Sequence, residues 1–151
     1  MTGLAFTLDE FLPYRLSVAS NAVSSRISQS YRKRFGLKIA EWRVMAILGE
    51  HHAMTPQALV SATRMDKISI SRAASALTER GLVVASSNPG DGRSHILSLT
   101  VDGQALYTEI LPLALETEGH LLASFSENER KLLEILLRRI ETAAENAPLA
   151  P

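Results

Sequence analysis

The chain of 151 residues contains no cysteine, and only 5% of it is aromatic. Without a thiol there is no disulfide framework, thiolate metal site, cysteine nucleophile or thiol redox switch. Long hydrophobic runs are missing as well: the longest uncharged stretch, His51 to Thr63, is too short and polar to span a bilayer. Met1 to Asp9 lacks the basic region and apolar run of a signal peptide. The expectation is a soluble, cytoplasmic protein with no membrane association. Its apolar share of 46% is enough for one domain over residues 1–151 to bury a core unaided.

Catalytic signatures are absent too. The chain has no Gly-x-Ser-x-Gly, His-Glu-x-x-His, Gly-x-Gly-x-x-Gly or P-loop, and His95 falls in a β-prone run rather than a triad. No enzyme activity and no cofactor are expected. An excess of charge of one sign is also lacking, since 16 Lys and Arg balance 16 Asp and Glu. That balance hides a gradient. Residues 1–100 hold 12 basic against 7 acidic side chains, and residues 101–151 hold 4 against 9. A basic first part suits a polyanionic partner, and an acidic remainder suits a surface turned away from it.

What is present is a succession of amphipathic helices around one hairpin. Leu12, Leu16, Ala19, Val23 and Ile27 recur at helical spacing, with Asp9 as the expected N-cap, Pro13 near the first turn and Gly36 as the stop. A second helix runs from about Ile39 to Gly49 with Trp42, Met45, Ala46 and Leu48 as core residues, and Thr55-Pro56 opens a short helix to about Thr63 anchored by Leu59 and Val60. Asp66 caps the next helix, which ends at Gly81 and buries Ile70, Ala73, Ala74 and Leu77 while turning out Lys67, Ser71, Arg72, Ser75 and Thr78. Leu82 to Ala85 and His95 to Leu99 are β-prone, and the turn formers of Ser86 to Gly92 join them into a hairpin. Thr100 caps a further long helix, with a bend expected at Pro112. Ser126 to Glu129 forms a capping box before a last helix striped with Leu132, Leu133, Leu136, Leu137 and Ile140, and Ala147 to Pro151 should fray.

Two short helices joined by a tight turn and followed by a polar hairpin describe a mainly α winged helix-turn-helix, whose second helix enters the major groove. Lys67, Ser69, Ser71 and Arg72 then face DNA. Arg93 and Ser94 sit at the wing tip, where Arg93 can enter a narrow minor groove with Asp91 holding it in position. For the helix alone, an ordinary solvated face is as good an account as a DNA reader. A helical interaction module that never touches DNA is the competing class; Arg93 on a polar hairpin argues against it.

The segments Asp91-Gly92-Arg93 and Leu97-Ser98-Leu99-Thr100 resemble the wing of the MarR family of bacterial regulators. The resemblance extends to Glu41 to Met45, Asp66 to Arg72 and Glu79 to Val83, and so to nearly the whole chain. It implies a homodimer that binds duplex DNA, and the expectation is a repressor on a near-palindromic operator with half-sites roughly 34–36 Å apart. The DNA-binding unit would be residues 36–100. Residues 8–35 and 101–146 would supply dimerisation helices, with Leu12, Leu16, Leu133, Leu136, Leu137 and Ile140 at the interface. Ala85, Ser86 and Ser87 stand where family members often carry arginines, which implies fewer phosphate contacts and a shallower salt dependence.

Family members often release DNA on binding a small molecule. Arg15, Trp42 and Arg43 offer a carboxylate clamp and an aromatic wall for an aromatic acid or its acyl thioester; Trp42 as ordinary core is the competing account. His51-His52, or Glu116 with His120, give zinc sensing as an alternative, but no third ligand is identifiable.

Overall fold

Proline, glycine and short polar side chains set the helix boundaries. A computed structural model describes residues 5–151. Helix α1, Leu12–Phe35, begins at its proline, the second residue of the helix. Asp9 is not the cap, correcting the sequence expectation: it lies in a 3-10 turn, Leu8–Glu10, and Phe11 occupies the cap position without a side-chain bond. Pro13 has no N–H to be capped, and Asp9 instead pairs with Arg15 at 2.9 Å. At the other end Gly36 takes the left-handed conformation, φ 65°, and its N–H bonds to the Arg32 carbonyl.

Helix α2, Ile39–His51, starts where the Lys38 N–H donates to the Glu41 carboxylate at 3.0 Å. It passes Gly49 without stopping. A Cβ there would stand 2.6–2.9 Å from ring atoms of Tyr107, so this glycine serves close packing rather than termination. His52, φ 68°, turns the chain into a two-residue strand β1, Ala53–Met54. Thr55 accepts the Ala58 N–H at 3.1 Å and opens α3, Pro56–Thr63. Asp66 accepts the Ser69 N–H at 2.8 Å and opens α4, Lys67–Glu79.

Strands β2, Val83–Asn88, and β3, Asp91–Leu99, form the hairpin, and β1 joins the open edge of β3 to give the antiparallel order β1-β3-β2. The sequence pattern did not anticipate β1. Both long strands also run further toward the turn than expected, which narrows the turn to Pro89-Gly90. Helix α5, Val101–Leu121, follows at once. Thr100 caps it by accepting the Gly103 N–H at 3.0 Å, and donates its own hydroxyl to the Gly81 carbonyl at 2.6 Å. Helix α5 is continuous through Pro112.

The buried set is aliphatic apart from Tyr31 and Met45 and draws on every layer of the head. Val44, Met45 and Leu48 come from α2, Leu59 from α3, and Ile70, Ala73 and Leu77 from α4. The sheet adds Val83 and Leu97, and α1 and α5 add Tyr31 and Ile110. The described chain divides into two compact units, one ending at Thr117 and the other Glu118–Pro151. The second contains the end of α5 and helix α6, Glu127–Asn146, capped by Ser126, which accepts the Glu129 N–H at 3.1 Å. Arg130 reaches back to the Leu122 carbonyl at 2.5 Å. No helix among the described residues is long and apolar enough to cross a membrane.

Candidate nucleic-acid interface

The buried stripe of α4 decides which of its residues face solvent. Ile70, Ala73 and Leu77 pack into the head, leaving Lys67, Ser71 and Arg72 exposed on the opposite side. The Asp66 carboxylate is held below its ordinary pKa by the hydrogen bond from the Ser69 hydroxyl, 2.6 Å, and by the Ser69 N–H. Ser69 was expected to read bases, but its hydroxyl proton is committed to that cap. The neighbouring Ile68, to which the sequence pattern assigned no role, is 64% exposed. The available signal was a β-branched aliphatic residue on the polar face of an amphipathic helix.

Arg80 is a second residue the pattern did not single out. At the end of α4 its guanidinium donates to the Phe35 carbonyl at 2.8 Å and the Gly36 carbonyl at 3.4 Å. It thereby satisfies carbonyls at the C-terminus of α1, where a cation also complements the helix dipole. Helix α4 is tied in this way to the end of the long first helix.

In the wing, the strand register slips between Ser87 and Asn88: Ser87 faces His95, but Asn88 faces Asp91. Gly92, Arg93 and Ser94 therefore bulge out of the ladder, and Arg93 lies in that bulge rather than in the turn itself. A bulge re-aims side chains. Four hydrogen bonds hold it: Asn88 Nδ2 to Ser94 Oγ at 2.8 Å, the Gly90 N–H to Asn88 Oδ1 at 3.1 Å, the Arg93 N–H to Asp91 Oδ1 at 3.0 Å, and the Ser94 hydroxyl to the Asp91 carbonyl at 3.4 Å. Asp91 thus holds Arg93 through its backbone N–H rather than through its guanidinium. The hydroxyl of Ser94, expected on DNA, is half-buried and engaged inside the wing. On the surface of α4 and the wing, the side chains of Lys67, Arg72 and Arg93 make no hydrogen bond or ion pair with the described residues.

The expected effector residues are not brought together within one chain. Trp42 stacks between Tyr31 and Tyr107, with ring centroids 5.6 and 5.9 Å away, as a half-buried part of the head. Arg15 is bound to Asp9, and it lies sixteen residues before Tyr31 on the same helix, about 24 Å along its axis. Arg43 is exposed, one residue from Trp42, and its charge partly offsets the burial that raises the Tyr31 pKa. His51 lies 3.7 Å from Glu50, and no three His, Cys, Asp or Glu side chains cluster as metal ligands among the described residues. Leu12 and the α6 residues Leu133, Leu136, Leu137 and Ile140 are exposed, and Leu16 is half-buried.

A family model described as the MarR family matches residues 35–94, which hold α2, α3, α4 and most of the wing. The transcriptional repressor NicR of Pseudomonas putida is 32% identical over 103 residues, 68% of this chain, and the chain spans 65% of NicR's length. The structure of BpsR from Bordetella bronchiseptica, whose DNA binding is regulated by 6-hydroxynicotinic acid, superposes with a TM-score of 0.84 at 25% identity, covering 91% of this chain and 97% of BpsR. A MarR/EmrR family regulator from Acinetobacter gives a TM-score of 0.84 at 26% identity over 93% of this chain and 99% of its own. These relatives are named as regulators rather than enzymes, in keeping with a chain that carries no catalytic signature. From the head it shares with them to the wing that closes it, this chain belongs to the MarR family of transcriptional regulators.

Proposed function

We propose that the chain is a cytoplasmic repressor that occupies a near-palindromic operator as a homodimer and leaves it when a small aromatic acid binds. The observation that carries this is the set of uncommitted cations on two adjoining elements, Lys67 and Arg72 on α4 and Arg93 in the wing bulge. Cations with no protein partner suit phosphates and base edges, and the guanidinium of Arg93 suits a narrow minor groove. Ser71 reads the major groove beside Arg72. Ser69 and Ser94 act one step back, shaping the helix start and the wing.

The effector reading is supported by the regulation of BpsR by a hydroxylated aromatic acid. In this chain the aromatic surface is Trp42 with its flanking tyrosines, and Arg43 is the cation nearest to it in sequence. Arg15 serves the same ligand only if a second copy supplies it. The test is a mobility shift with the purified protein and DNA upstream of its own gene, at two salt concentrations with nonspecific competitor. Competitor-resistant, salt-sensitive binding is expected, and so is its loss on titration with 6-hydroxynicotinic acid, benzoic acid or a benzoyl thioester. Binding abolished by competitor would overturn the repressor reading, and binding untouched by all three compounds would overturn the aromatic effector.

A further inference from the structure

Ile68 is the second residue of α4 and is 64% exposed, which neither packing nor capping explains. At about 100° of rotation per residue it stands about 180° around the helix from the buried Leu77 and within about 60° of Ser71, Arg72 and Ser75. It is therefore central to the face that looks away from the head. An isoleucine is a poor occupant of a solvated helix position, because its branched side chain loses rotamer freedom there and its apolar surface meets water.

Its surroundings identify what would cover it. Lys67 precedes it, Arg72 follows one turn on, and no acidic side chain occurs between Lys67 and Thr78. The nearest acid, Asp66, is bonded to Ser69. An anchor for a protein partner would sit among other apolar side chains, whereas Ile68 sits among cations and hydroxyls. That setting fits a polyanion that offers an apolar group within its groove. In duplex DNA the thymine C5-methyl is that group, displayed in the major groove.

Resting on the reading of α4 as the major-groove helix, we propose that Ile68 is a specificity-determining residue that packs on the 5-methyl group of a thymine in each half-site. It takes the position in base recognition that Ser69 gives up to the Asp66 cap. Ser71 and Arg72, one turn further along, bond to neighbouring base edges and phosphates.

The experiment selects binding sites from a random duplex pool with the wild-type protein, then replaces each thymine of the enriched site by deoxyuridine, which removes only the methyl group. One thymine per half-site should weaken wild-type binding about four-fold when its methyl is removed. Ile68→Ala and Ile68→Ser should bind the thymine and deoxyuridine duplexes equally, with unchanged melting temperatures. Tight binding that no deoxyuridine alters, or a loss that persists in both variants, would overturn the assignment while leaving the DNA-binding reading intact. Failure to enrich any site would overturn the DNA-binding reading itself, and the thymine contact with it.

Discussion

Asp91 and Arg93 are two residues apart in the wing, and the bond between them is from the Arg93 N–H to the Asp91 carboxylate at 3.0 Å. An amide oxygen accepts that bond as well as a carboxylate does, so Asp91→Asn should keep operator affinity within about two-fold. Arg93→Ala removes the groove cation and should weaken binding about ten-fold or more at unchanged melting temperature. Fluorescence anisotropy on one operator duplex compares the two; an equal loss in both would mean that the Asp91 charge, not its turn geometry, serves DNA. Both residues could be picked out from the sequence by type and place. What could not be seen was the bulge that presents Arg93, because it depends on a cross-strand bond from Asn88 to Ser94 and on a slip in register. Ser69 shows the same limit, since nothing in the sequence tells that the proton of its hydroxyl is held by Asp66.

At the scale of elements, the cap of α4 makes folding sensitive to acid in a defined direction. Hydrogen bonds from Ser69 hold the Asp66 pKa below its ordinary value of 3.8 in the folded protein. A depressed folded-state pKa contributes stability that is complete above the unfolded value and is lost as pH falls through the folded one. Wild type should therefore exceed Asp66→Ala in stability by a constant margin at neutral pH, and the margin should close below about pH 4. Urea unfolding at stepped pH measures it, and a margin that persisted into acid would mean the carboxyl caps as well protonated as ionised. This cap was legible, as were Thr55, Thr100 and Ser126, because a short polar side chain before a helical period has one local use. Asp9 misled for the opposite reason: the proline at position 13 fixes the helix start later than the acid, whose partner is Arg15. Strand β1 has two residues and no periodicity to read; it exists only because β3 presents an edge. Gly49 and Gly103 resemble helix breakers in sequence, yet each permits contact. A Cβ on Gly103 would stand 2.0 Å from the Leu82 carbonyl oxygen, so the start of α5 can lie against the chain entering β2 only without one.

Over the whole molecule the distribution of apolar surface is the remaining physical problem. The head closes a buried cluster that includes Val44, Met45, Leu48, Leu59, Ile70 and Leu77, but α6 buries none of its residues, and Leu132, Leu133, Ile135, Leu136, Leu137 and Ile140 are each 38–55% exposed. Its polar side is already organised by pairs one turn apart, Lys131 with Glu127 at 2.8 Å and Arg138 with Glu134 at 3.0 Å. A surface helix that pairs its charges and leaves six large aliphatic side chains in water has the make-up of one side of an interface. A two-fold dimer, as the family implies, would cover the same residues on both copies, and each side chain brought from half exposure to burial stabilises the assembly by about 1 kcal/mol. Replacing Leu136 and Leu137 by lysine should therefore convert the dimer to a monomer in sedimentation velocity while the helical circular dichroism of the head persists. In the proposed mode of binding one dimer engages two half-sites, so separating the copies also removes the gain from simultaneous binding. Operator affinity should then fall about 100-fold or more, whereas affinity for a single half-site should change little. A double variant that stays dimeric would place the interface on other surfaces and leave the exposed stripe of α6 for a different partner.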